Sequence, residues 1–98
     1  MSNNGVEQIV IRHVSGSKAN QIEHISLADV NEITVGRDPK AIIALDSTRD
    51  DIVSRRHAVI RVGHGDQISF RLADLGSNNG TFLNGKQIKG EEELCPRI

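Results

Sequence analysis

Apolar residues in this chain come in short clusters, filled mostly by β-branched side chains and separated by polar or glycine-containing breaks. Branched side chains suit a pleated, half-buried surface, so the pattern predicts many short strands rather than helices. The expected strands are Gln8 to Val14, Gln21 to Leu27, Ile33 to Val35, Ala41 to Leu45, Ala58 to Val62, Ile68 to Leu72, and Thr81 to Leu83 with Lys86 to Ile88. Only Ala28 to Asn31 and Asp51 to Val53 suggest a turn of helix. Two breaks are hairpin signals. Gly63-His64-Gly65-Asp66 separates two alternating runs, and Asn84-Gly85 matches the preference of a two-residue type I′ turn, whose central residues both take positive φ. Short strands with frequent turns point to an all-β sandwich or barrel.

A chain of 98 residues has room for one core and one domain. Its formal net charge of −1 offers no global field to draw it onto nucleic acid or an anionic membrane, so any anion site must be local. Phe70 and Phe82 are its only aromatic residues, too few for base-stacking platforms, and nucleic-acid binding is not expected. Cys95 is the single cysteine, which excludes an internal disulfide and suits a reducing compartment. The polar start has neither the basic flank nor the apolar run of a signal peptide, and no stretch approaches the ~18 apolar residues of a membrane span. A cytoplasmic protein with a flexible segment over residues 1–7 is expected.

Three polar pieces fall at strand ends. Gly36-Arg37 closes the Ile33 to Val35 run, Ser54-Arg55-Arg56-His57 precedes Ala58 to Val62, and Ser77-Asn78-Asn79-Gly80-Thr81 leads into the last pair of short strands. They supply guanidinium, hydroxyl and amide donors on loops. A phosphorylated side chain carries roughly −1.5 to −2 charges and three strong acceptor oxygens, and these are the donors it calls for.

Gly36-Arg37, Ser54-x-x-His57, Asn79-Gly80-Thr81 and Asn84-Gly85, in this order and spacing, resemble the forkhead-associated (FHA) domain, a phosphothreonine-peptide recognition module. The resemblance covers about Gln8 to Ile98. It implies a β-sandwich of antiparallel strands with the binding loops at one end, and a role in signalling through a phosphothreonine-containing protein or peptide. It assigns Arg37, Ser54 and, as a further contact, Arg55 to the phosphate, and Asn79 with its neighbour Asn78 to the peptide main chain. His57 would brace the binding loop from within. Gly36, Gly80, Thr81, Asn84 and Gly85 would shape the scaffold, with Phe82 in the core. After the Asn-Gly turn, members of the family continue through a Gly-Asp turn and further strands; here Leu94-Cys95-Pro96-Arg97-Ile98 stands in that place. The C-terminal part of the sandwich is therefore expected to be incomplete, leaving an open sheet edge through which the domain could pair with a second copy.

Other chemistries fit less well. Ser54 and His57 lack the Gly-x-Ser-x-Gly elbow and third orienting group of a hydrolase, so no catalytic residue is expected. Arg56 reads as surface charge. Asp46, Asp50 and Asp51 lack the spacing of a calcium loop and read as solvated charge, and His13, His24 and His64 share no zinc-ligand spacing. Asn79-Gly80-Thr81 also matches the N-glycosylation pattern, which matters only for a secreted chain. Neither metal nor cofactor is expected. The rival functional reading is a phosphate-independent interaction or assembly module built on the same sandwich.

Overall fold

A computed structural model describes residues 8–94, so the expectations for residues 1–7 and for Cys95 to Ile98 lie outside the described residues. The protein is all-β. Its strands are β1 (Gln8–Arg12), β2 (Ile22–Ser26), β3 (Glu32–Gly36), β4 (Ile43–Ala44), β5 (Ala58–His64), β6 (Ile68–Asp74), β7 (Phe82–Leu83), β8 (Lys86–Gln87) and β9 (Glu91–Leu94). Five of them form one sheet in the order β4-β3-β5-β6-β9, while β1-β2 and β7-β8 are separate hairpins.

Period-two alternation builds the core. Ile33 pairs with Ile60, Ile60 with Leu72 and Val62 with Phe70, so one face of the large sheet is apolar across three strands. The β1-β2 hairpin lays Ile9, Ile11 and Ile25 over that face, where they meet Leu27, Ile33, Ile43, Ile60 and Val62. Ile33 is fully buried at its centre. Truncating such a side chain to alanine typically costs about 2–5 kcal/mol. The core thus lies between the hairpin and the large sheet, and the loops that follow β3, β4 and β6 emerge together beyond it.

Several expectations need correction. The sandwich is not wholly antiparallel, because β4 runs parallel to β3 through Val35↔Ile43 and Gly36↔Ala44. The chain can do this because a turn closed by Ala41 N–H on the Asp38 carbonyl folds it back, and Leu45 N–H then reaches the Gly36 carbonyl. Ala28 to Asn31 and Asp51 to Val53 form no helix; each region closes a single i→i+3 turn, Val30 on Leu27 and Val53 on Asp50. Phe82 is not a core side chain. It is 57% exposed, since alternation along a two-residue strand turns it outward opposite Gln87 while Ile88 is buried. The Asn84-Gly85 turn forms as expected, with φ of 53° and 83° between the paired residues Leu83 and Lys86.

The strand β9 was not legible in its sequence, Glu91-Glu92-Glu93-Leu94, because glutamate is a poor strand former. Tertiary contacts override that. Glu91 accepts from Arg71 Nε at 2.7 Å and from Arg61 Nε at 2.9 Å, while Leu94 packs against the core opposite Phe70. The carboxyl of Glu91 is held below its ordinary range, first by the hydrogen bond from Arg71. Among the described residues this strand is an edge of the large sheet, and its three glutamates would meet like charges if two copies paired there.

Candidate functional site

The site begins at Gly36, the buried last residue of β3. A side-chain Cβ at this position would lie 2.1 Å from the Arg55 carbonyl oxygen, so only glycine allows the segment after β4 to cross so closely. That approach is fixed by backbone bonds: Arg37 N–H to the Ser54 carbonyl at 3.2 Å, Asp38 N–H to Arg55 at 3.0 Å, and His57 N–H to Val35 at 3.0 Å. Arg37, Ser54 and Arg55 are thereby set along one rim.

The Arg37 guanidinium is already partly committed. Its Nε donates to the Val53 carbonyl, and Nη1 donates to the Ser47 carbonyl at 3.1 Å. Five N–H donors in a rigid fork leave Nη2 and the second Nη1 hydrogen unspent. An anion would therefore be met by the distal end of the fork.

Ser54 and His57 join the first loop to the second. The Ser54 hydroxyl oxygen accepts the Asn78 N–H at 2.9 Å, which leaves its hydrogen available. His57 Nδ1 accepts the Ser54 N–H at 3.0 Å, so its Nε2 carries the proton and donates to the Gly80 carbonyl at 2.8 Å. Both ring nitrogens are thus engaged with backbone. Gly80 has φ of 87°, a conformation that L side chains rarely adopt. Asn79 Nδ2 donates to the Ile52 carbonyl at 2.8 Å, keeping one N–H and the amide oxygen unspent. Arg55 is 69% exposed at its side chain and stands 3.8 Å from an Asp38 carboxylate oxygen. The tertiary structure therefore gathers Arg37, Ser54, Arg55, Asn78 and Asn79 into one loop cluster, with Gly36, His57 and Gly80 beneath. Asn84 and Gly85 shape the β7-β8 turn instead.

Sequence reasoning missed two carboxylates that hold these loops. Asp74 accepts from Gly76 N–H at 3.0 Å, Ser77 N–H at 3.2 Å, Ser77 Oγ at 2.5 Å and Thr81 Oγ1 at 2.7 Å, so it organises the whole second loop. An Asp followed by Leu-Gly-Ser is an Asx-turn signal that could have found it. Asp50 is not solvated loop charge as expected. It is buried, accepting from Ser17 Oγ, from Ser17 N–H at 3.0 Å and from Asp46 N–H at 2.9 Å, and so ties the β1-β2 loop to the segment that carries Ser54.

The hydrogen bond from Ser77 Oγ, then that from Thr81, lowers the Asp74 carboxyl below its ordinary 3.8. A depressed carboxyl stabilises the fold fully above its unfolded pKa, and the contribution is lost as pH falls through the folded value. Asp74→Asn should therefore melt well below wild type at neutral pH, and the gap should narrow as pH falls below about 4. Thermal melts across that range would check it; a gap independent of pH would mean that the charge on Asp74 is not what holds the loop.

A protein-family model of the FHA domain matches residues 33–95, the stretch that contains every loop of this cluster. The chain belongs to the FHA domain family. An FHA domain solved in a structural and functional analysis of phosphothreonine-dependent FHA domain interactions superimposes with a TM-score of 0.68 at 29% identity, covering 91% of this chain and 80% of that one. The FHA domain of a Chlamydia trachomatis protein superimposes with a TM-score of 0.67, also at 29% identity, covering 90% and 81%. Two curated relatives are both named oxoglutarate dehydrogenase inhibitor. The one from Corynebacterium efficiens is 45% identical over 58 residues, 59% of this chain and 37% of its own length. The one from Corynebacterium diphtheriae is 47% identical over 65 residues, 66% of this chain and 41% of its own. The FHA chain thus spans about two fifths of the length of these relatives. Among its described residues no helix is long and apolar enough to cross a membrane.

Proposed function

We propose that this FHA domain is a non-catalytic, phosphothreonine-dependent interaction module that docks a partner protein in signalling. The observation that carries the proposal is the convergence of unspent donors: the distal end of Arg37, the Ser54 hydroxyl hydrogen, the exposed Arg55 fork and the free half of the Asn79 amide. The first three suit phosphate oxygens, and Asn79, with a donor and an acceptor left, suits an extended peptide main chain. Charge-assisted hydrogen bonds contribute about 1.5 to 3 kcal/mol each. Three or four of them supply about 4.5 to 12 kcal/mol before the cost of ordering a peptide, so a micromolar affinity, near −8 kcal/mol, needs bonds at the strong end of that range together with contacts to the peptide's flanks. Engagement of both His57 nitrogens with backbone supports a bracing role for that residue rather than activation of Ser54 as a nucleophile. Relatives named for inhibiting an enzyme fit a domain whose partner is another protein.

Titration of one threonine peptide in phosphorylated and unphosphorylated forms tests the proposal. Micromolar binding of the first and little of the second is expected; equal binding would favour a phosphate-independent assembly module. Phosphothreonine should also bind more tightly than phosphoserine. One buried methyl contributes only about 0.8 kcal/mol, roughly fourfold, and paired titrations with equal affinities would show that no pocket for the methyl exists.

A further inference from the structure

Beside the loop cluster lies a hollow of about 260 Å³ that shares Arg55 with the proposed phosphate site and otherwise has a lining of its own. Val35 and Leu75 contribute apolar surface to it, Leu75 being 41% exposed. Lys40, Arg55 and Arg56 bring three cations to its lining against the single carboxylate of Asp38. That carboxylate is already engaged, because one of its oxygens accepts the Lys40 N–H at 3.0 Å and faces Arg55 at 3.8 Å. Lys40 and Arg56 are exposed and form no ion pair among the described residues. The hollow is smaller than the ~300–1,000 Å³ of small-molecule sites. It has room for one side chain, and its charge selects an anionic one.

Arg55 and Arg56 are consecutive and directly follow Ser54, so the hollow is continuous with the rim where the phosphate is proposed to sit. We infer that it is a second, anion-selective subsite, which takes an acidic side chain of the same bound peptide, its stem on Val35 and Leu75 and its charge against Lys40 and Arg56. This rests on the proposed phosphopeptide function and deepens it. The preferred partner carries a glutamate or a second phosphoresidue at a fixed distance from its phosphothreonine. Exposed ion pairs are individually weak, so the gain over an alanine at that position is about fivefold and shrinks with added salt.

The test is a titration series on the full chain. A phosphothreonine peptide with alanine flanks is compared with its unphosphorylated form, and then with peptides in which glutamate or a second phosphothreonine is moved through each flanking position. The two series distinguish a carboxylate from a second phosphate. Wild type is run beside Lys40→Gln/Arg56→Gln and beside Arg12→Gln/Lys89→Gln, which removes the same charge outside the hollow. At one position the acidic residue is expected to gain about fivefold in wild type and in the second variant, and nothing in Lys40→Gln/Arg56→Gln, whose affinity for the alanine-flanked peptide stays unchanged. A series with no favoured position overturns the inference while the phosphate reading stands. So does a gain that survives in Lys40→Gln/Arg56→Gln or disappears equally in both variants. If the alanine-flanked peptide gains nothing from phosphorylation, the phosphate reading falls and the inference falls with it.

Discussion

Arg37→Ala is expected to weaken phosphopeptide binding by a hundredfold or more while leaving a folded domain. On the proposed reading, the substitution removes two charge-assisted hydrogen bonds to phosphate, about 3 to 6 kcal/mol together, out of a total near −8 kcal/mol. It also releases the Val53 and Ser47 carbonyls, which Arg37 tethers from half-buried and exposed positions. These bonds also have an ionised donor, worth up to about 1.5 to 3 kcal/mol each, but water can take the place of the guanidinium at the exposed Ser47 and half-buried Val53 carbonyls, so the domain should stay folded with a lowered melting temperature. Arg37→Lys separates the two effects. It keeps the charge but loses the fork, and should bind at an intermediate level. Calorimetric titration and a thermal melt on the same samples decide the matter. Unchanged affinity in Arg37→Ala would remove Arg37 from the site, and with it the argument that the β3 end is where phosphate is read.

Gly36→Ala should be the most damaging single-methyl addition to this chain. The new Cβ would sit 2.1 Å from the Arg55 carbonyl oxygen and 2.9 Å from its carbonyl carbon, both backbone atoms that no rotamer change can move. Either β3 or the Ser54 to His57 segment must shift, which breaks the backbone bonds between them. Overpacking of this severity costs about 3 kcal/mol or more, a drop of at least about 12 °C in melting temperature for a domain of this size. Gly76→Ala supplies the comparison. Gly76 has φ of 80° but nothing within 4 Å of where a methyl would stand, so only backbone strain of about 1 kcal/mol is expected. Equal melting temperatures for the two variants would mean that the crossing at Arg55 is looser than the structure has it.

Much of this protein was determined by sequence that acts locally. The strands β1, β2, β3, β5 and β6 follow from the alternation of branched residues, and the Asn84-Gly85 turn from the rarity of residues that tolerate two positive φ angles in succession. That Arg37, Ser54, Arg55, Asn78 and Asn79 would stand on neighbouring loops was legible because their order matches one family, and the structure brings those loops together. What the sequence could not decide depends on groups far apart along the chain. The strand β9 exists because Arg61 and Arg71 receive Glu91 and the core receives Leu94, contacts that no propensity of three glutamates encodes. Phe82 is outside because the short β7-β8 ribbon has one buried face and the register gave it to Ile88. Asp50 is structural because Ser17, 33 residues away, comes to meet it. Likewise, which Arg37 hydrogens remain for a ligand is settled only when Val53 and Ser47 have taken theirs. Local propensity is a property of neighbouring residues, whereas burial and the pairing of polar groups are properties of the packed whole.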